Sequence, residues 1–499
     1  MVAEHTSLMD TSSAPPPHSG PCRIAIIGAG CTGLRLALLF KKWNENASPD
    51  KAVEVVVFEA RAQPGGFLQT NKNPTGVLVE AGAQGVLASR HVFLQALEDV
   101  GFTPADVVAA PRSGPQSARY LITPTGGLTR LSPIALLRSG LNQPGDLLRL
   151  FLDLFKSRPS RPPHPDESLY QFFSRRFGRS WAENFVLPFA TGIWGGGAEK
   201  LLLRHTFPQL QDIEIQHGSL LRHALVTAVK KLLSGSRNKT LASAQHWPKG
   251  LLSFPGGMHT LIEKMIHSLQ NSGLSRVLHL NKPIHSLHLT TDKKYLLNGT
   301  ESFDYVFWTS APWHSPTLDF ANPAMKKEWD ALQQTPTHNL VVVNISGARS
   351  KLTRDGFGAL APRESTGLLG VLFVHSIFPQ HVSADRFSYR VLLGGDRNPE
   401  MISWSDAQLA EYAFHQLTRL RLIDLPQELC SIDVIRWSRA IGIADLAHDE
   451  RMAALWRLQA HMPGLHFAGI YKKGVGVADA LMSAQDAFDD WVSALRPSP

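Results

Sequence analysis

The residues with the clearest chemical meaning form one short series. Gly28-Ala29-Gly30-Cys31-Thr32-Gly33 comes after an all-apolar run, Ile24-Ala25-Ile26-Ile27, and precedes Leu34 to Phe40, which reads as a helix. A second apolar run, Val53 to Phe58, ends on Glu59. Strand, glycine turn, helix, strand and acid make the first half of a dinucleotide-binding fold. Gly28 permits the tight turn, Gly30 lets the backbone approach a pyrophosphate, and Gly33 lets helix pack on strand. The helix N-terminus offers free N–H groups and a positive dipole end to the phosphates. Glu59 would accept hydrogen bonds from ribose hydroxyls and repel a 2′-phosphate, which disfavours NADP. Residues 44–51 are expected to be a loop that absorbs the long spacing between Gly33 and Glu59.

The stretch after Glu59 separates flavin from nicotinamide. Pro64-Gly65-Gly66 comes at once, then Thr70, and then Glu80-Ala81-Gly82-Ala83. Paired glycines after the ribose acid let the chain cross close to an extended dinucleotide. This extension resembles the FAD-dependent amine oxidase superfamily. The sequence has no second strand–GxGxxG–helix unit, so oxidase chemistry is expected, with oxygen or another acceptor. Gly474-Val475-Gly476-Val477 opens a helix reaching Trp491, and its N-terminal dipole suits negative charge on a reduced flavin.

The rest of the chain must position these groups. It has 499 residues, 43% hydrophobic and 18% charged, enough for a large core and too apolar for general disorder. Three cysteines make no disulfide framework, which points to a reducing compartment. Residues 1–22 carry Glu4 and Asp10 but no Lys or Arg, and read as a disordered tail. The net charge is +8, and residues 131–240 alone hold 15 Lys and Arg against 8 Asp and Glu. No nucleic-acid reading motif accompanies them, so an anionic membrane surface or an acidic ligand fits better. Leu147 to Phe155 is apolar except for Arg149 and Asp153, which helical spacing puts on one face. Ser219 to Leu233 reads as a second helix ending in the flexible 234–236, while 275–310 and 338–395 are strand-rich. His285 and His288 fall on opposite faces of a strand and are read as structural. Hydrolase motifs are missing.

Several blocks resemble the protoporphyrinogen oxidase family in order and spacing. They include Asp166-Glu167-Ser168 with Arg175-Arg176-Phe177-Gly178, Pro188 to Gly196, Phe254 to Met258, and Gly474 to Val477 with Asp479. The resemblance runs from Arg23 to Ala487. It implies an α/β fold: a Rossmann-like FAD-binding domain (23–90, 245–300 and 430–499), a mixed-sheet substrate domain (91–127 and 301–429), and a helical membrane-associated domain (128–244). The implied activity is six-electron oxidation of protoporphyrinogen IX to protoporphyrin IX, with FAD as cofactor and molecular oxygen yielding hydrogen peroxide. Such chemistry needs a bridging methylene held at the flavin with water kept out, and no catalytic side chain beyond FAD.

Site residues come from the matching motifs. FAD would be held by Gly28, Gly30, Gly33, Glu59, Arg61, Gly65, Gly66, Gly82, Ala83, Ile284, Trp437, Gly469, Gly476, Val477 and Ala478. Arg119 is the implied cleft cation for a propionate, with Gln84, Leu360 and Phe378 around the substrate. The family's Gly-Pro-Asn step is Gly82-Ala83-Gln84 here, and Gln63, Gly442 to Ala444 and Ile470 also depart from its pattern. Partners implied are a porphyrinogen, oxygen, a membrane surface, a ferrochelatase-like enzyme taking the product, and a second copy in a homodimer. The implied location is the cytoplasm, peripheral to the inner membrane. Coproporphyrinogen III, an amine or polyene substrate, and a non-catalytic porphyrin-binding flavoprotein are the alternatives.

Overall fold

A computed structural model describes residues 22–123, 126–132, 143–159, 164–233, 246–270, 277–316, 318, 320, 322–361 and 367–495. The expected tail over 1–22 lies outside these residues except for Cys22, and the 234–236 stretch lies wholly outside. The chain divides into two compact units. One takes the described residues of 1–68, 259–335 and 450–499, the other those of 69–258 and 336–449.

The first unit is built on five parallel strands. Their order is Leu278–His279, Val53–Phe58, Cys22–Ile27, Tyr305–Trp308 and Leu465–Phe467. A parallel sheet is covered on both faces, which is why these strands are almost wholly apolar. Helices Cys31–Asn46 and Val477–Ala494 pack together on one side, where Phe40 meets Phe307, Phe488 and Trp491 edge-on. Trp308, Trp329, Phe467 and Tyr471 belong to the core on the other side. The stretch 44–51 is not a loop throughout. Helix Cys31–Asn46 runs through Asn44 because that side chain both donates to and accepts from the backbone of Val53.

The second unit holds a seven-stranded mixed sheet. Its order is Ser431–Gly442, Thr337–Ala348, Arg386–Gly394, Leu368–Phe373, Gly358–Leu360, Arg119–Ile122 and Leu128–Arg130. Alternation along the strands separates two faces. Val341, Val343, Ile345, Val371, Phe373, Tyr389, Val391 and Leu393 enter an apolar core with Leu409, Ala413 and Leu417 of helix Asp406–Arg419. The residues between them face the other way. Register sets Arg119, Gly358, Leu372, Arg390, Asn344 and Asp433 in one row across that second face.

These pairings move the domain limits drawn from sequence. Tyr305–Trp308, assigned to the substrate domain, is hydrogen-bonded within the parallel sheet. Ser431–Gly442, assigned to the FAD domain, is an edge strand of the seven-stranded sheet, and 69–90 and 246–258 go with that sheet's unit. The helices over 144–233 belong to the same unit rather than standing apart.

Among those helices, Pro144–Asp153 turns its acids inward. Asp146 accepts from the backbone N–H and hydroxyl of Ser180. Asp153 is fully buried against Arg176, the Ser219 hydroxyl and the Leu221 N–H. Arg149 pairs with Asp146 instead, so Arg149 and Asp153 do not share an exposed face. Arg176 also meets Glu214, which Arg175 holds together with Glu167. With its acids inside, the helix exposes Leu148, Phe151 and Leu152, with Phe155 just beyond its end. Replacing Arg176 by Met strands the buried Asp153, and removing one partner of such a pair costs about 3–5 kcal/mol. Chemical denaturation should therefore show Arg176→Met that much less stable; a wild-type midpoint contradicts the role given to the cluster.

Candidate functional site

In the first unit, the glycine turn shows three separate demands. Gly28 has φ +109°, which favours glycine. A Cβ on Gly33 would lie 1.9 Å from the Gly28 carbonyl oxygen, so helix and turn touch only because Gly33 has none. A Cβ on Gly30 would meet nothing within 4 Å, which leaves the open approach a pyrophosphate requires. Gly65 donates its N–H to the Ala29 carbonyl, and a Cβ on Gly66 would lie 3.5 Å from the Gly30 Cα. The paired glycines thus cross directly beside the turn.

Glu59 is buried at the end of its strand. One carboxylate oxygen accepts from the Ala29 N–H at 2.9 Å and the other from the Arg61 N–H at 3.0 Å. Each oxygen keeps a further lone pair for a ribose hydroxyl. The Arg61 side chain is exposed, and its carbonyl accepts from the Asn281 N–H. Ile284 directs its side chain into the core, so only its main chain is available. Gly469 has φ +152° and donates to the Ser483 hydroxyl. Gly476 donates to the Asp479 carboxylate, capping the helix that Val477 and Ala478 begin.

The remaining predicted residues lie in the second unit, around the polar face of its sheet. The hairpin of Thr70–Lys72 and Leu78–Glu80 crosses that face. Asn73 at its tip donates to the Ser346 and Ser431 hydroxyls, and Trp437 Nε1 donates to the Ala81 carbonyl at 2.8 Å. Beyond the hairpin, Gly82, Ala83 and Gln84 are partly exposed. Arg119 is exposed with its guanidinium 4.7 Å from the Phe357 ring centroid. It makes no ion pair among the described residues. Leu360 shares its sheet face and is half-buried; Gly192 on helix Leu187–Trp194 makes room, since a Cβ there would lie 3.1 Å from the Leu360 side chain. Phe378 is different. It is fully buried with Val108, Ala110 and Ile377, its ring under Gly85, so it supports the turn from beneath rather than walling a cleft.

Comparison with known proteins decides the class. A family model described as flavin containing amine oxidoreductase matches residues 49–489. The chain belongs to that family. A mitochondrial protoporphyrinogen oxidase of Nicotiana tabacum is 28% identical over 98% of both chains. A coproporphyrinogen III oxidase of Staphylococcus aureus is 23% identical over 95% of this chain and 99% of its own. Among solved structures, one from Exiguobacterium sp. 255-15, assigned as a protoporphyrinogen oxidase, shares the fold with a TM-score of 0.75 at 20% identity, covering 95% and 99% of the two chains. The protein is an FAD-dependent oxidoreductase. The open approach at Gly30 and the spare lone pairs of Glu59 suit FAD.

Sequence reasoning missed two members of this flavoenzyme's polar face. Arg390 is 3% exposed in the strand Arg386–Gly394. Its terminal nitrogens donate to the Gly82 carbonyl, to the Ala81 carbonyl at 3.4 Å and to the Gln84 side-chain oxygen at 3.2 Å. Glu80 accepts from the Met258 N–H and the Thr70 hydroxyl. Burial pushes Glu80 up to about 7, against those hydrogen bonds and the charge of Arg390. Burial likewise brings Arg390 down to about 10, with Glu80 opposing, so it stays a cation at neutral pH. The available signal for Arg390 was a charge between alternating core positions, Tyr389 and Val391.

Gly33→Ala drives a methyl into the Gly28 carbonyl, so the purified variant should lack flavin absorbance; full FAD content would refute the close packing. Glu80 keeps its proton to higher pH in the folded than in the unfolded chain, so folding stability falls as pH rises from 4.5 through 7. Glu80→Gln removes that loss, gaining about 1–3 kcal/mol on wild type across the window. Parallel stability–pH curves for the two proteins would rule out a displaced Glu80.

Proposed function

We propose that this flavin oxidoreductase oxidises a porphyrinogen to a porphyrin, with protoporphyrinogen IX as the preferred substrate. The observation that carries the reading is Arg119. It is an exposed guanidinium with no acidic partner among the described residues, on the same sheet face as half-buried Leu360. A planar cation suits a propionate, and the apolar residues beside it suit pyrrole rings. The names of relatives aligned over nearly the whole chain support the same substrate class.

The reaction asks little of the protein. FAD, when bound, would supply the acceptor for the hydride equivalents. Three molecules of oxygen take up the six electrons and six protons and leave as hydrogen peroxide. Arg119 anchors a carboxylate, Leu360 supplies an apolar contact and helps exclude water, and the 82–84 turn faces the ligand. Glu59 and the glycines at 28, 30, 33, 65 and 66 fix the dinucleotide. Ile443, which departs from the family's pattern, is buried, and its N–H donates to the Pro336 carbonyl.

Coproporphyrinogen III is the second reading, favoured by the relative from Staphylococcus aureus. It carries two more carboxylates than protoporphyrinogen IX, and Arg119 is the exposed cation in its row of this face, Arg390 being buried. The product would pass to a ferrochelatase-like enzyme.

We also propose peripheral contact with an anionic membrane. No helix among the described residues is long and apolar enough to cross one. Leu148, Phe151, Leu152 and Phe155 are exposed, as are Leu225, Val226 and Val229 of helix Leu220–Leu233. Exposed Arg158, Arg222 and Lys230 lie in the same helical stretch. Apolar side chains beside basic ones suit the headgroup boundary.

Arg119→Ala should lower kcat/KM for protoporphyrinogen IX about 10- to 100-fold, the loss of one charge-assisted hydrogen bond, with FAD retained. Fluorescence-detected porphyrin formation at the wild-type rate would remove the anchor. No formation by wild type above the spontaneous rate would remove the substrate. For the surface, Phe151→Glu with Phe155→Glu should abolish co-sedimentation with anionic vesicles. Undiminished pelleting would move the contact elsewhere.

A further inference from the structure

Arg390 lies deep in the sheet, and most of its partners are on the turn that faces the ligand. It donates to two consecutive carbonyls, of Ala81 and Gly82, and to the side-chain oxygen of Gln84. A guanidinium has donors only, so it selects the oxygen end of the Gln84 amide and excludes the flipped orientation. The nitrogen end must then point away. That nitrogen is buried and has no partner, and so is the Arg390 Nε. Asn344, opposite Arg390 in the strand register, is 4% exposed and its amide nitrogen is also unmet. Three buried groups here hold N–H bonds with nothing to receive them, and buried donors are rarely left so. Each lacks an acceptor, and none of the three lacks a donor.

We propose that Arg390 is a positioning residue, which locks the Gln84 side chain so that its amide nitrogen donates to an oxygen acceptor on the bound ligand. A flavin ring carbonyl and a substrate carboxylate share that acceptor chemistry. The departure from the family's Gly-Pro-Asn step gains a purpose: the longer side chain of Gln84 spans from Arg390 to the ligand. The proposal rests on the porphyrinogen reading only in taking the 82–84 turn as ligand-facing.

The test compares wild type, Gln84→Leu, Arg390→Met and the double variant as FAD-loaded enzymes, with flavin content and melting temperature as folding controls. One arm measures the flavin spectrum and midpoint potential without porphyrin; the other measures the Kd of protoporphyrin. Gln84→Leu should shift the potential downward if the acceptor is on the flavin, or weaken porphyrin binding about tenfold if it is a carboxylate. Arg390→Met should reproduce that change and add nothing in the Gln84→Leu background, because it acts through Gln84. If Gln84→Leu alters neither arm while FAD stays bound, water meets the amide and the proposal fails. An equal effect of Arg390→Met with and without Gln84 also overturns it. If Arg390→Met does not fold, Gln84→Leu and Arg390→Lys decide, the latter losing the fork and matching Gln84→Leu. The flavin arm needs no porphyrin, so the proposal is judged even where the porphyrinogen reading fails.

Discussion

A guanidinium cannot shed its proton at neutral pH, so wherever the chain buries one it must also bring acceptors. Arg390 imposes that requirement on the second unit. It enters the sheet at a strand position whose neighbours on both sides belong to the apolar core, and it can only face the other way. The hairpin and turn over 70–84 satisfy it with two carbonyls and an amide oxygen, and Glu80 adds a nearby carboxyl. Trp437 and Asn73 tie the same segment to the neighbouring strands. The register of the sheet is thereby transmitted to the turn over 82–84.

The first unit solves a different problem by subtraction. A pyrophosphate needs backbone within reach, so side chains must be absent where the chain turns, crosses and packs. Gly28, Gly30, Gly33, Gly65 and Gly66 remove them at five points, and Glu59 is held rigid by two backbone donors. One unit works through missing atoms, the other through a buried charge and its obligatory partners.

This contrast explains which groups were readable from residue order alone. The glycine turn was legible because its demands are local: strand, turn, helix and acid succeed one another within a single series. The groups on the polar face of the mixed sheet were harder. Arg119 came from a resemblance, and Arg390 went unnoticed because a lone arginine reads as exposed until register puts Tyr389 and Val391 into the core. The motif match that puts Phe378 beside the substrate carries no information on packing, which buries the side chain. Domain limits shifted for a similar reason. Tyr305–Trp308 and Ser431–Gly442 look alike as strands, and only their partners, far away in the chain, decide which sheet each one joins. In helix Pro144–Asp153 the apolar character was plain, yet the inward turn of Asp153 depended on Arg176, beyond any local pattern.

The order of strands in the parallel sheet has a consequence for how the chain is made. Leu465–Phe467 closes one edge of that sheet, and helix Val477–Ala494 lies against the helix that opens at the glycine turn. Arg35 and Gln485 are hydrogen-bonded across 450 residues of sequence. The platform beneath the glycine turn therefore stays incomplete while the ribosome is still adding the segments between. The nucleotide site is finished late in synthesis, and until then the apolar face of the first helix lacks the partner that covers it.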